Sequence, residues 1–479
     1  MFSRQMPCAI FSISLFLSFY GLATAQSVSA DAEEMSNQQA QEEENLQELV
    51  NQIRREKFDV ILPQIMREND IDMWIHVMRD GSPDPMRDEL GSNNGVFVFT
   101  DRGGDRIERA VIGHRWIPRG GQLSRIPSND VIRESGAYDI ISEEFLRREK
   151  PGGPETEFDR RFKGVGQFVA QRDPRRIAVN YLEKLGPPLV YEVPRLRSDG
   201  ISYTDYNLLA EALGDKYAKR IISAEYLTYE FLSRRVPSEF VMFKKIRDHI
   251  TETMEEVFSD IVPGKTNVGD VDGARAVVDE NGNRRGRNDV VQRGDLISLE
   301  SGSRQSGANW KFGNFYEVEF RHGYVLREGE TEPHPKLKRA WADALKVRKI
   351  LEENIKVGRT GGETFEILKK KIDEAGFIFV NTQEYDPSLD LEKTQVPLDL
   401  HAAGKGLNAP RISPLGPDWQ RDLTLPLNHH FFFEYWVYVP MPELGEGKYI
   451  SLQFHDGAIV TESGVEYFYP PPTEIHLIQ

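Results

Sequence analysis

Nine consecutive residues, His430, Phe431, Phe432, Phe433, Glu434, Tyr435, Trp436, Val437 and Tyr438, constrain this chain more than any other segment. A strand of that composition carries large apolar groups on both faces, so both must be covered. That requires an interior strand of a layered fold. Glu434 lies in the middle of it. A carboxylate in such a place is costly unless a cation, a metal or dense hydrogen bonding compensates it. An ion pair with a core Arg or Lys would do this, but we read Glu434 as a functional carboxylate.

The chain is long enough for a layered fold of this kind. Its 479 residues exceed a typical single domain several-fold and predict two domains, each with its own core. With 60 Lys+Arg against 76 Asp+Glu, the net charge of −16 argues against a nucleic-acid binder, which normally presents a basic field. Arg4, the apolar run Ala9 to Leu22 and the small residues Ala23, Thr24, Ala25 read as a secretory signal cleaved after Ala25. The run is too short for a membrane anchor, so no membrane span is expected after cleavage. Cys8, the single cysteine, would leave with it, which excludes thiol chemistry and Cys-ligated metal. Gln26 to Gln47, with Glu42, Glu43 and Glu44, reads as a polar acidic tether grading into a helix.

Helical periodicity runs from Leu46 to Ile65 and stops at Asn69. Strand-like runs at Met73 to Met78, Gly95 to Phe99, Arg109 to Ile112 and Arg176 to Tyr181 alternate with helical stretches such as Tyr206 to Leu213, predicting an α/β domain. His76 and His114 lie beside strands and read as structural. The second half repeats one pattern. An amphipathic helix from Ser238 to about Ile261 leads into Pro263, Gly264, Lys265, Thr266, and another from Pro335 to Ile355 leads into Val357, Gly358, Arg359, Thr360. In each, the glycine is expected to cap the helix and the threonine to open the next element. Strands are expected at Asp295 to Glu300, Phe315 to Phe320, His430 to Tyr438 and Tyr449 to His455.

Several of these segments resemble the M24 metallopeptidases, the creatinase-like or pita-bread family of Xaa-Pro aminopeptidases and prolidases, over about Phe58 to Gln479. Ile61 to Gly104 resembles the creatinase-type N-terminal domain, and Leu227 to Thr266 the entry to the catalytic domain. Gly294 to Gly302 resembles the strand of the first ligand, and Val460, Thr461, Gly464 the closing turn. The resemblance implies an α/β N-terminal creatinase-type domain plus an α+β pita-bread C-terminal domain with a pseudo-twofold internal repeat. Its divisions would be residues 1–25 signal peptide, 26–47 tether, 48–225 N-terminal domain and 226–479 catalytic-type domain. Secreted bacterial Xaa-Pro peptidase-like proteins are the nearest members by this likeness, and a homodimer is implied by it too.

Active members hold two divalent ions with Asp, Asp, His, Glu and Glu. Carried over residue by residue, the first Asp becomes Glu300. The second falls near Val318 and is lost, because alternation turns Glu317 and Glu319 to the other face. In the stretch Leu400 to Gly406, either His401 is the outer substrate-binding histidine and Lys405 a cation replacing metal, or His401 is itself the ligand and candidate catalytic residue. The fourth ligand is Glu434; the fifth falls on His455. Val271 to Gln292 is more polar than the family's pocket-building segment. A histidine cannot bridge two ions, so a dinuclear site is not expected. Either no metal or one divalent ion (zinc, manganese or iron) on Glu300, His401, Glu434 and His455 is. The signal segment implies an exported, periplasmic or secreted protein, and the resemblance, with its departures at the ligand positions, implies one that binds a peptide or partner through a degenerate site. The alternatives are an active mononuclear Xaa-Pro peptidase and metal-free chemistry of the creatinase kind.

Overall fold

A computed structural model describes residues 41–42, 44–79, 84–92, 94–112, 129–142, 157–185, 200–302, 315, 317–402 and 409–479. The signal segment, His114 and Lys405 lie outside these residues. The chain divides into two compact units, Met1–Val50 and Asn51–Gln479. In the first, residues 41–42 and 44–50 are helical, so the described end of the acidic segment is helix, as its Gln and Glu content permits. Among the described residues no helix is long and apolar enough to cross a membrane.

In the second unit, strands β1 (Met73–Met78), β2 (Gly95–Asp101), β3 (Ile107–Ile112), β4 (Ile140–Ser142), β5 (Ile177–Val179) and β6 (Ile221–Ser223) form one sheet, ordered β4-β3-β2-β1-β5-β6. All six residues of β1 are buried because the sheet is covered on both sides. Met73, Ile75 and Val77 pack with Phe162, Val165, Leu209 and Leu213 of the helices Glu157–Arg172 and Tyr203–Ala218. On the opposite face Trp74 and Phe99 meet Phe231 and Phe58 at ring separations of 5.3 to 6.0 Å. His76 is tied to Asp84 at 3.2 Å.

Two further sheets follow. The first is ordered β17-β9-β8-β7, from β7 (Ala274–Val278), β8 (Leu296–Gly302), β9 (Val318–Val325) and β17 (His476–Ile478). The second comprises β10 (Ile378–Val380), β11 (Gln395–Pro397), β12 (Leu400–Ala402), β13 (Arg411–Ile412), β14 (His429–Pro440), β15 (Tyr449–Val460) and β16 (Val465–Tyr467), with β15 added alongside β14. A long helix packs on each: Pro237–Ser259 against β8 and β9, Pro335–Asn354 against β14 and β15. This is the helix-on-sheet repeat that the sequence predicts. Gly264 and Gly358 do adopt positive φ, at 79° and 86°. They are not the helix caps, however, since Asp260 and Ile355 hold those positions. The glycines sit in the turns beyond. Thr360 does open the next helix, Gly361–Glu374, through a capping box with Glu363.

The strand expected at Phe315 to Phe320 is displaced to Val318–Val325, where buried Tyr324 extends the pairing with β8 and buried Val325 pairs with Ile478 of β17. Strand β14 shows why the apolar run reads as two-sided. Phe431, Phe433, Tyr435, Val437 and Val439 face the core beneath the Pro335–Asn354 helix with Val347 and Leu351. Truncating one such phenylalanine typically costs ~3 to 5 kcal/mol. The alternate residues Phe432, Glu434 and Trp436 face the other way. Of the twelve residues in β14, only Glu434 is partly exposed.

Candidate metal centre

Cross-strand register brings three side chains to that second face. His401 on β12 pairs with Phe432 on β14, and Glu434, two residues further along, pairs with His455 on β15. One ligand atom from each of His401, Glu434 and His455 lies within 4.8 Å of the other two. Among the described residues no other group of three potential ligands is so placed.

Hydrogen bonds orient both rings. His401 Nδ1 lies 3.0 Å from the carbonyl of Ala402, and His455 Nδ1 lies 3.3 Å from the carbonyl of Val318. A carbonyl can only accept, so each Nδ1 carries the proton and each Nε2 is left for another partner. His401 Nε2 sits 3.5 Å from Glu434 Oε2, and Gln453 Nε2 donates to Glu434 Oε1 at 3.4 Å. The side chains of His401 and Glu434 are 17% and 16% exposed, so the pair opens to solvent on one side.

The two imidazoles differ electrostatically. Burial disfavours the charged form of His401, but Glu434 outweighs it and, helped by Asp399, raises this ring above the ordinary imidazole value. Burial pushes His455 down to about 4, against a weaker pull from Glu434. Without a ligand, Glu434 thus inclines His401 toward its charged form, while burial holds His455 neutral. Two nitrogens and one carboxylate form a donor set suited to zinc, iron or manganese, with a position left open. The fit is to one ion, since only one carboxylate is present and imidazole does not bridge.

Glu300 does not join the three. It lies on β8, where Arg275 of β7 forms an ion pair with its carboxylate. Val318 is buried and takes part only through its carbonyl. Glu317 and Glu319 lie 3.8 and 3.4 Å from the guanidinium of Arg247, which also meets Asp456 at 3.4 Å. His430 lies 3.0 Å from Glu317. All of these groups are buried. The notable omission from the sequence reading is Arg275. No local pattern in the sequence links it to Glu300; the meeting follows from the pairing of β7 with β8.

No protein-family model and no curated protein sequence matches the chain. Among solved structures, it is similar to the X-Pro aminopeptidase from Thermotoga maritima, with a TM-score of 0.50 and 16% identity over 87% of this chain and 100% of that one. The chain has the pita-bread fold. It is also similar to an Xaa-Pro dipeptidase from Bacillus anthracis (TM-score 0.48, 16% identity, covering 89% of this chain and 99% of that one). A third likeness is to the prolidase from Pyrococcus horikoshii (0.46, 14%, 88% and 98%). At 16% identity the likeness to the Thermotoga maritima structure bears on the fold alone: a creatinase-type α/β half followed by the α+β half with its internal repeat.

Proposed function

We propose that this is an exported protein of the Xaa-Pro peptidase type that binds peptides over a single divalent ion held by His401, Glu434 and His455, with the dinuclear hydrolysis of its fold relatives lost. One observation carries it: three ligating atoms converge within 4.8 Å with both Nδ1 atoms already engaged, while Glu300 is held by Arg275. His401 and His455 each present Nε2. Glu434 supplies the one negative charge and is steadied by Gln453. A divalent ion bound there would polarise a peptide carbonyl and lower the pKa of a bound water toward neutrality. Glu434 is needed as a ligand and Glu300 is paired, so neither is free to take a proton from an attacking water. Peptide binding thus outlasts catalysis. The signal-like sequence of residues 1–25, with Arg4, an apolar run and small residues at Ala23 to Ala25, supports a periplasmic or secreted location.

A second reading, an active mononuclear Xaa-Pro peptidase, is favoured by the open position that a His-Glu-His set leaves, as in catalytic zinc sites. Elemental analysis of the native protein, with peptidase assays on Xaa-Pro dipeptides, separates the two. One ion per chain, lost in Glu434→Gln, without turnover supports the first. Turnover abolished by chelator and by Glu434→Gln supports the second. Two tightly held ions, or none, would sink both.

A further inference from the structure

A groove of about 810 Å³ is bounded by residues 268–277 and 284–287. In a chain of net charge −16 it stands apart, because Arg275, Arg284, Arg285 and Arg287 face it against only Asp270 and Asp272. Two of the four guanidiniums have structural duties. Arg275 pairs with Glu300, and Arg285 forks onto buried Asp295 at 2.5 and 2.8 Å. The other two are exposed and meet no carboxylate among the described residues. Arg284 donates only to the carbonyl of Arg275, and the Arg287 side chain makes no hydrogen bond or ion pair there.

The groove is preformed by its backbone. Val268 N donates to Asp289 O at 2.9 Å, Gly269 N to Arg287 O at 2.8 Å and Arg285 N to Val277 O at 2.8 Å. A Cβ at position 269 would come within 2.9 Å of the Arg287 carbonyl, so glycine permits this close approach. The groove also lies within reach of the metal centre. Its wall β7 pairs with β8, β8 pairs with β9, and Phe320 of β9 has its ring 5.8 Å from that of His455. Two strand spacings, ~10 Å, separate β7 from β9, and the further step from Phe320 to His455 brings the span to roughly 15 Å, the length of about five extended residues.

We propose that this groove recognises acidic side chains of a peptide laid across the His401–Glu434–His455 centre, with Arg284 and Arg287 as the cations that receive them. The proposal rests on the single-ion, peptide-binding reading and adds its substrate class. Guanidinium forks match carboxylates in shape and charge, and a locally positive groove on an acidic protein attracts such a ligand while the remaining surface repels it.

The test is fluorescence anisotropy on the metal-stripped full chain, using labelled Ala-Pro-Asp-Asp-Ala and its amide counterpart Ala-Pro-Asn-Asn-Ala. The acidic peptide should bind about tenfold tighter at low ionic strength, and the preference should shrink with salt. It should vanish in Arg284→Ala/Arg287→Ala and persist in Lys349→Ala, which removes an exposed cation outside the groove. If the alanine pair lowers the melting temperature, the Arg284→Gln/Arg287→Gln pair repeats the measurement. Equal binding of the two peptides, an undiminished preference in a fully folded double variant, or equally effective competition by inorganic phosphate would each overturn the proposal. Because no metal is present in this assay, its outcome is independent of ion content, and failure of the metal reading shows separately in elemental analysis.

Discussion

Arg247 and His455 share one acceptor, the backbone carbonyl of Val318, at 2.7 Å from Arg247 Nη1 and 3.3 Å from His455 Nδ1. The orientation of a candidate ligand is thus tied to a buried charge network on the other side of β9. Arg247 also lies among Glu317, Glu319 and Asp456, and Arg348 approaches Asp456 at 3.5 Å.

Removing that guanidinium should be costly in two ways. Arg247→Met leaves three buried carboxyl groups without their central cation, and breaking a buried pair typically costs ~3 to 5 kcal/mol. Urea denaturation should show a loss of that order. Metal affinity should fall by roughly ten- to a hundred-fold as well, because His455 loses part of the support that orients it. Wild-type stability in the variant would show the network to be dispensable.

Protonation of His401 should govern the apo centre. Its value is raised in the folded state, so the His401–Glu434 pair adds stability that is fully present below the unfolded imidazole value of about 6.5 and is lost as pH rises through the higher folded one. In chelator, Glu434→Gln should therefore destabilise by ~1 to 2 kcal/mol at pH 5.5 and by little at pH 9. Metal binding must displace the same proton, so affinity should strengthen with pH over that window. Melting curves and metal titrations across the range provide the check, and a pH-independent effect of the substitution would contradict it.

Glu317 should make the protein less stable as pH rises from about 4 to about 8. Burial pushes its carboxyl up to about 8, with Arg247 only partly opposing, whereas an unfolded glutamic acid titrates near about 4.3. Between those values the folded chain keeps a proton that the unfolded chain releases, so stability falls as pH rises, by on the order of 5 kcal/mol in all. Glu317→Gln should flatten that slope. Chemical denaturation at pH 5.5 and pH 8.5 measures it, and parallel slopes in the two proteins would refute the assignment.

The readable part of this protein was local. A nine-residue run apolar on both faces announces an interior strand, and period-2 alternation sets Glu434 and Gln453 apart from the core-facing residues around them. The same alternation turns Glu317 and Glu319 to one side together, and both meet Arg247. Helix boundaries near Ser238, Pro335 and Thr360 follow from proline, capping residues and 3.6-residue periodicity. All of these depend on neighbours a few positions away.

Only the tertiary structure decided which candidates meet. His401, Glu434 and His455 converge because β12 and β15 both flank β14 in the register His401↔Phe432 and Glu434↔His455. A slip of one residue would turn a strand's side chains to the opposite face. Glu300 is diverted by Arg275, a neighbour 25 residues away brought close by the pairing of β7 with β8. The opposite displacements of the two imidazoles depend on burial and on which group each faces. Residue type and alternation are written along the chain, whereas register, burial and the partner of a charge arise from contacts between distant segments.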